Sequence, residues 1–271
     1  MNFHIRELHD PDEYARVVEL ETAVWGDPDD TIRPGTMMAL VHEGALLAGA
    51  FVNDPSALGT GARGSELMVG FVLGFPTNRP TEQHSHMAGV MPEYQRHSVG
   101  LMLKRYQRDW CLSRGYERVV WTFDPLRGLN ANFNFNRLGI TFERYIPNCY
   151  GVMKGLNAGA ASDRAYALWD LRSERVFRRI YERLDPPDMQ SLVQANRVED
   201  EEPAGLELGL SAERLLLQIP EDWGAIMQTN PALAHRWREH SRAAFGHYLA
   251  AGYAATGFVR GPNRYLLERK L

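Results

Sequence analysis

A strand that runs through a short turn into a helix constrains the fold of this chain most. The stretch over 87–102 is MAGVMPEYQRHSVGLM. Its apolar start is typical of a buried strand, and a helix is predicted from about Val99, after a turn that carries Gln95 to Ser98. The first N–H groups of a helix have no partner within the helix and lie at the positive end of its dipole. The sequence therefore predicts a phosphate or pyrophosphate site at this turn.

Strands and helices alternate through the first half of the chain. Asp10 and Pro11 supply the N-cap and first-turn proline of a helix that ends near Gly26, and Pro34 and Gly44 bound a second helix similarly. Two apolar runs joined by a loop rich in Gly, Ser and Thr favour an antiparallel pair. The predicted strands are 3–8, 45–53, 67–74, 83–90 and 118–123.

The helix predicted over 99–114 separates the last two of these strands and ends at Gly115. Its buried face is expected to carry Val99, Met102, Tyr106 and Trp110. A strand, a helix and a strand in this order form parallel neighbours in one sheet, and ligands bind at the carboxyl edge of such strands. The pattern predicts an α/β fold with a mixed sheet.

Composition excludes several classes of function. The net charge of −4 over 271 residues provides no overall positive field for nucleic acid or anionic lipid. Two cysteines, Cys111 and Cys149, favour a reducing compartment. The N-terminus is too charged for a signal peptide, and the longest apolar run is about half as long as a membrane span. We expect a cytoplasmic protein that binds neither nucleic acid nor a membrane.

Two segments carry a resemblance to a known family. The turn PEYQRHSVG at 92–100 resembles the pyrophosphate-binding signature Q/R-x-x-G-x-G/A of the GCN5-related N-acetyltransferase (GNAT) superfamily. Gln95 and Gly100 match that signature, while Ser98 stands in place of its first glycine. The segment NFNRLGI at 134–140 resembles the later signature FYxRLGF, with Phe135 where tyrosine is common. The resemblance covers roughly residues 1–150.

Two further segments, WTFDPL at 121–126 and SDRAYALWDL at 162–171, resemble an extended acyltransferase subgroup of that superfamily. The resemblance implies a GNAT-like catalytic domain over 1–155 and a C-terminal α/β extension over 156–271. It implies acetyl-CoA, or another acyl-CoA such as succinyl-CoA, as co-substrate. The acceptor would be the amine of a small molecule such as an amino acid.

The resemblance also places the acyl-CoA. Backbone N–H groups from Arg96 to Leu101 would bind its pyrophosphate. Gly89 is expected to mark a bulge that separates two parallel strands around the pantetheine arm, with N–H groups near Met87 and Ala88 facing the thioester oxygen. Without the motif, a plain packing glycine is an equal alternative. The expected cofactor-binding residues are Met87, Ala88, Gly89, Val90, Gln95, Arg96, His97, Ser98, Val99, Gly100, Leu101, Asn130 and Phe135.

The acceptor amine must lose a proton before it can attack. His84 and His86 lie two residues apart, on one face of the strand, and histidine titrates near neutrality. We expect His86 to act as the base, directly or through a water, with His84 as the second candidate. Both could instead be hydrogen-bonded core or edge residues. No third ligand is evident beside them, so we expect no metal.

The other expected roles fall after the strand at 118–123. Phe135 cannot donate a proton to the departing thiolate, so Tyr145 and Tyr150 are candidate acids, although each could be a packing residue. An amino group, a carboxylate and an amide of the substrate would meet, respectively, Asp124, Arg127 and Asn132. The asparagines here could equally cap the next helix.

The second half has a less regular pattern. It predicts helices over 173–184 and 231–251, a strand over 215–219, an acidic linker or exposed loop near 198–203, and a hairpin of 254–259 with 264–268. This order echoes the end of the first half, so a degenerate half-repeat that completes the sheet or forms a homodimer contact is conceivable. His235 and His240 do not share a helix face, which argues against a metal pair there.

Two other functions fit the same residues. One is a non-catalytic acyl-CoA-binding module, and the other is a nucleotide-binding protein of unrelated activity. Tight CoA binding without turnover would indicate the former, and binding of ATP or NAD but not CoA would indicate the latter.

Overall fold

The computed structural model of the chain describes residues 1–26, 28–53, 66–151, 161–182, 184–185, 187–189 and 191–270. The chain forms two compact units, Met1–Val120 and Trp121–Leu271. The loop predicted after residue 53 and the expected domain boundary at 155–156 lie outside the described residues. The division between the units falls earlier, within the strand Arg118–Phe123.

The first unit alternates strands and helices as the sequence predicts. The strands are β1 (Phe3–Glu7), β2 (Leu46–Asn53), β3 (Glu66–Pro76), β4 (Glu82–Val90) and β5 (Arg118–Phe123). The helices are α1 (Pro11–Trp25), α2 (Pro34–His42) and α3 (Val99–Ser113), with 3₁₀ turns at Pro28–Asp30 and Pro92–His97. The strand order is β1-β2-β3-β4-β5, antiparallel except for the parallel pair β4 and β5. The mixed α/β architecture is confirmed.

Local signals fix the ends of the helices. Asp10 accepts the Asp12 N–H at 2.9 Å, while Glu13 accepts the Asp10 N–H at 3.4 Å, so the two side chains form a capping box at the start of α1. Gly26 ends this helix with φ 77°, and Gly115 follows α3 with φ 82°. Both are left-handed conformations that glycine adopts without a steric cost.

Helices lie on both faces of this sheet. A Cβ at Gly70 would lie 3.2 Å from Leu103 of α3, whereas a Cβ at Gly89 would lie 3.2 Å from Trp25 of α1. Because Gly89 pairs with Phe71, the neighbour of Gly70, these two contacts are on opposite faces. α1 and α2 therefore cover one face, over a core that includes Leu8, Val17, Leu20, Met37, Leu47, Phe71 and Leu73, and α3 covers the other.

The bulge in β4 is not at Gly89, as expected, but three residues earlier. Leu73 pairs with Met87 and the next residue, Gly74, pairs with Ser85, so His86 is the extra residue of β4. Gly89 itself pairs regularly with Phe71, and a Cβ there would lie 3.0 Å from the Phe71 ring. Gly89 is thus a close-packing glycine against α1.

The buried face of α3 also differs from the expectation. Val99 and Trp110 are buried, but Met102 and Tyr106 are only half-buried. The remaining buried positions of α3 include the polar side chains Lys104, Gln107 and Arg108. A helical pattern of apolar residues cannot reveal this, because polar residues enter a core only when a neighbouring element provides hydrogen-bond partners.

The second unit contains the remaining elements. Its strands are β6 (Thr141–Ile146), β7 (Arg164–Asp170), β8 (Val193–Gln194), β9 (Arg197–Glu199), β10 (Glu202–Ala204), β11 (Arg214–Gln218), β12 (Tyr253–Val259) and β13 (Arg264–Arg269). Its helices are α4 (Gly128–Asn132), a π-helical turn (Phe133–Leu138), α5 (Glu174–Tyr181), α6 (Trp223–Thr229) and α7 (Pro231–Ala250). Six of these strands form a sheet in the order β7-β6-β12-β13-β11-β8.

Several predicted elements of this unit are confirmed. β12 and β13 form the expected antiparallel hairpin, α7 fills the expected long helix, and β11 lies within one residue of the expected strand. The acidic segment near 198–203 is not a bare linker, because β9 and β10 pair within it as a small hairpin. Aromatic rings fill the core of the unit, with Phe142 packed against Phe135, Phe245 and Tyr265.

Candidate active site

The turn before α3 has the backbone geometry that an anion site needs. Ser98 precedes the helix with φ 60° and ψ 15°, a left-handed conformation, and its side chain makes no capping hydrogen bond to the first N–H groups of α3. These N–H groups lie at the positive end of a helix of 15 residues. Ser98, which stands where the signature that this turn resembles has a glycine, is therefore in a conformation that glycine adopts without a steric cost.

Side chains of the turn divide into anchors and exposed groups. The Gln95 side chain donates from Nε2 to the Val90 carbonyl at 3.2 Å, which ties the turn to the end of β4. The His97 ring lies 6.0 Å from the ring of Phe3 and so contacts β1. Arg96 and Ser98 are exposed. A guanidinium beside uncapped N–H groups can add a charge-assisted hydrogen bond to an anion.

One edge of β4 is open over most of its length. Only Glu82, Gln83 and His84 pair with β5, opposite Arg118, Val119 and Val120. Beyond them, the described strands of the first unit supply no partner on that edge for the residues from Ser85 to Val90. An unpaired strand edge presents N–H and C=O groups that can bind an extended, amide-containing ligand. The opening begins at Ser85, next to the bulge at His86.

The two histidines lie together as predicted. The ring of Phe75 on β3 is 5.1 Å from the His84 ring and 5.5 Å from the His86 ring, and the two imidazoles are 6.1 Å apart. His84 is half-buried, while His86 is exposed. His86 is therefore the member of the pair that can reach a ligand in solvent.

Their environment favours the neutral imidazoles. Burial, followed by the charges of His86 and Lys104, lowers the pKa of His84 to about 4. The neighbouring atoms also partly desolvate the His86 ring, although the residue is exposed, and this lowers its pKa below the ordinary 6.5. Both rings are accordingly neutral at pH 7 and can accept a proton. His84 is the weaker base, because its conjugate acid is the stronger one.

Several candidate residues belong to the second unit, and Asp124 is fully engaged there. Its carboxylate accepts two hydrogen bonds from Arg238, at 2.9 and 2.8 Å, and one each from Trp223 Nε1 and the Leu126 N–H. Asp124 is 7% exposed. The carboxylate expected to bind a substrate amino group is instead a buried structural ion pair.

Phe135 and Tyr145 are also core residues of this unit. Phe135 is 1% exposed and packs against Phe142 and Tyr265, so its expected contact with a cofactor is not available. The Tyr145 hydroxyl donates to Asp163 at 2.8 Å, and burial raises its pKa above 10. Tyr145 is therefore a structural donor and a poor proton source.

The other expected contacts of the second unit remain predictions. Tyr150 is 56% exposed, and its hydroxyl lies 2.5 Å from Thr122 Oγ1. Asn130 is exposed on α4, and Arg127 precedes that helix. Asn132 accepts from Asn136 Nδ2 at 3.0 Å, so its carboxamide oxygen already has a partner.

Sequence analysis missed one buried polar cluster in the first unit. Lys104 Nζ donates to Ser85 Oγ at 2.7 Å and to Gln107 Oε1 at 2.9 Å, and Gln107 Nε2 donates to Gln83 Oε1 at 2.7 Å. A signal was present: Gln83 and Ser85 share a strand face, and Lys104 and Gln107 share a helix face. Only the packing of α3 on β4 shows that the two faces meet.

Two features are absent from the described residues. Within the described ranges, no group of three or more His, Cys, Asp or Glu side chains is placed to hold a metal ion. None of the described helices is long and apolar enough to cross a membrane.

No family model and no curated protein matches the chain. Solved acetyltransferase structures are similar to it. The ribosomal-protein-S18-alanine N-acetyltransferase of Escherichia coli has 16% identity and a TM-score of 0.48, covering 64% of this chain and 96% of that one. A GNAT-family acetyltransferase of Streptococcus pneumoniae has 15% identity and a TM-score of 0.47, and the match covers 62% of this chain and 98% of that one. An aminoglycoside 6'-N-acetyltransferase complexed with coenzyme A has 12% identity and a TM-score of 0.46, and the match covers 64% of this chain and 99% of that one. Likeness at this level establishes no activity for the chain.

Proposed function

We propose that the protein is a GNAT-type N-acyltransferase that moves an acyl group from acyl-CoA to an amine. One observation carries the proposal: the N-terminus of α3 is joined by one short 3₁₀ turn to a strand, β4, whose edge from Ser85 onward has no partner among the described strands of the first unit. An acyl-CoA combines a pyrophosphate with an extended arm that contains two amides. The same segment thus supports both parts of that ligand.

The donor would bind first through its charged end. The N–H groups of Val99, Gly100 and Leu101 are the uncapped donors of α3. The Arg96 side chain is exposed at the turn and can reach a bound anion. Gly100 presents no side chain to a ligand that approaches the helix start. The pantetheine amides would then pair with the open edge of β4, near Met87 and Ala88. A backbone N–H there would stabilise the oxyanion of the thioester during transfer.

The histidine pair suits the proton transfer. Acyl transfer forms a bond from the amine nitrogen to the thioester carbonyl carbon, breaks the C–S bond and releases CoA, while the amine gives up a proton. His86 is exposed, neutral at pH 7 and adjacent to the open edge. It would take this proton directly or through a water. The low pKa of His84 makes that residue the less effective base.

The acceptor and the acyl group belong to the same proposal. We assign a small-molecule amine, such as an amino acid, as acceptor, and acetyl or succinyl as the transferred group. The named solved structures include one enzyme that acts on a ribosomal protein and one that acts on aminoglycosides. A protein N-terminus is therefore included as a competing acceptor in the test.

A thiol-release assay tests the function. Acetyl-CoA and succinyl-CoA are each combined with D- and L-amino acids, polyamines, aminoglycosides and short peptides with a free N-terminus. Release of CoA above the amine-free rate, with the acylated amine identified by mass spectrometry, is the expected result. CoA binding without release from any pair would support a non-catalytic module, and binding of ATP or NAD but not CoA would overturn the proposal.

A further inference from the structure

A buried polar cluster lies directly behind the histidine strand. It consists of Lys104 and Gln107 from α3 with Gln83 and Ser85 from β4, all less than 10% exposed. Lys104 donates to Ser85 and Gln107, and Ser85 donates to Gln107 at 3.3 Å. Gln83 Oε1 accepts from Gln107 and, at 3.3 Å, from the Cys111 thiol. The cluster is a continuous bridge from helix to strand.

The bridge ends at the bulge. Ser85 is the last residue of β4 before the extra residue His86, and it pairs with Gly74 across the register shift. Gly74 leaves the space that the bridge occupies, because a Cβ there would lie 2.5 Å from Gln83 Oε1 and 2.8 Å from Gln107 Nε2. Lys104 therefore holds Ser85, the residue that immediately precedes the bulge.

The bridge and the histidines occupy opposite faces of β4. Gln83 and Ser85 face α3, while His84 and His86 contact Phe75 on the face that α1 and α2 cover. The strand is only one backbone thick, so a charge on Lys104 acts on the imidazole of His84 through low-dielectric protein. The other charged or titratable groups near this pair are His86 and Glu82 on β4 and Cys111 on α3.

We infer that Lys104 is a positioning residue for the acyl-transfer site: through Ser85 and Gln107 it fixes the bulge at His86, and its ammonium group, behind β4, adds to the burial that disfavours a positive charge on His84. This inference rests on the proposed function. A buried lysine costs stability wherever an apolar side chain would fit. Its presence behind the reacting strand is explained if the site requires both the bridge and the charge.

Burial lowers the pKa of Lys104 to about 7, so its charge increases as the pH falls below neutrality. In the acidic range, where His84 would otherwise gain a proton, Lys104 is fully charged and opposes that gain. The charge of Lys104 is therefore complete in the pH range in which His84 would gain a proton.

Two substitutions separate the charge from the bridge. Lys104→Met removes both, and Ser85→Ala removes the link to the bulge while it keeps the charge. Arg114→Met is the matched control, because it removes a positive charge at the exposed end of α3, outside the cluster. Histidine titration by NMR is measured in all four proteins, and kcat and KM are measured with the acyl-CoA and amine pair that the wild type uses.

The expected results differ among the variants. In Lys104→Met the pKa of His84 rises, whereas in Ser85→Ala and Arg114→Met it stays within about 0.2 of the wild-type value, the precision expected of such a titration. Both cluster variants lower kcat by about ten- to hundredfold with little change in KM for acyl-CoA, because a displaced base slows the chemical step. Arg114→Met retains wild-type kcat.

An unchanged His84 pKa in Lys104→Met would overturn the electrostatic half, and wild-type kcat in Ser85→Ala would overturn the positioning half. If Lys104→Met does not fold, Ser85→Ala and its His86 backbone amide shift decide the positioning half alone. The NMR titration needs no substrate. Failure of the acyltransferase proposal would therefore appear as absent turnover in the wild type, with the titration result unaffected.

Discussion

Ser98 shows how one backbone conformation links the sequence to the site. It has φ 60°, where a residue with a Cβ is about 1–2 kcal/mol less stable than in the right-handed region. Its side chain makes no capping hydrogen bond to α3. No capping hydrogen bond from Ser98 therefore offsets the strain. The left-handed conformation of Ser98 turns the chain so that the first N–H groups of α3 lie at the turn.

Replacing Ser98 with glycine is expected to stabilise the protein. Relief of the left-handed strain outweighs the added flexibility of glycine in the unfolded chain, for a net gain of about 0.5–1 kcal/mol in the free energy of unfolding. Urea denaturation measures it. Ser113→Gly is the matched control at the other end of α3, where the helical conformation should make glycine destabilising. A loss of stability in Ser98→Gly would show that the Ser98 side chain has a stabilising contact.

His86 has a distinct kinetic signature at the same scale. His86→Ala should lower kcat much more at pH 7 than near pH 10, where the acceptor amine is increasingly deprotonated and needs no base. His84→Ala should cause the smaller loss at pH 7, because the low pKa of His84 makes it a weaker base. Steady-state rates across this pH range test both. A loss in His86→Ala that does not vary with pH would indicate a role in orientation only.

At the scale of elements, the strands and helices of the first unit were predictable because their signals are local. The N-cap at Asp10, the prolines at 11 and 34, and the glycines at 26 and 115 each act within a few residues. The bulge was not predictable, since it depends on the register between β3 and β4. Neither was the burial of Lys104, because only the packing of α3 on β4 supplies its partners.

Gly74 is the element-scale test of that packing. A Cβ at this position would collide with Gln83 and Gln107, two buried side chains that cannot move freely. Gly74→Ala should lower the free energy of unfolding by about 1–3 kcal/mol, as overpacking does in other cores. It should also shift the NMR resonances of His84 and His86, because the bulge would be displaced.

Gly35→Ala provides the opposite control. Nothing lies within 4 Å of a Cβ at Gly35, which is in the first turn of α2. Alanine there should raise stability by about 0.5–1 kcal/mol through helix propensity. Equal effects of the two substitutions would mean that the contacts at Gly74 are not as tight as the structure shows.

At the scale of the whole molecule, long-range pairs explain what sequence analysis could not reach in the second unit. Asp124 and Arg238 are 114 residues apart in sequence, and Asp163 and Arg242 are 79 apart, yet each pair is joined by two hydrogen bonds. The acidic residue after a strand suggested a substrate contact, which is the usual inference for an exposed carboxylate. Its partner on α7 could be identified only from the tertiary structure.

Three histidines have a pKa that is lowered mainly by burial: His84 and His86 in the first unit and His240 in the second. The shift at His84 is large enough to take its pKa to about 4. His240 Nε2 accepts from the Asn196 amide at 3.0 Å, because Asn196 Oδ1 is already bonded to the Gln218 N–H. The unfolded chain binds a proton near pH 6.5, whereas the folded protein resists it. The contribution of these neutral histidines to the free energy of unfolding is therefore complete above pH 6.5. It is lost as the pH falls toward the folded pKa, which is about 4 for His84.

The free energy of unfolding should thus begin to fall below pH 6.5. This is above the range in which Asp124 and Asp163, whose pKa values are lowered by their arginine partners despite burial, lose most of their contribution. His84→Gln and His240→Gln should each reduce this slope, because glutamine is neutral in both states. Urea denaturation at several pH values measures the slopes. If neither variant reduces the dependence of the free energy of unfolding on pH, proton uptake by the unfolded chain at these two histidines is not the cause of the lost stability. The folded protein must then bind protons at these histidines more readily than their burial implies.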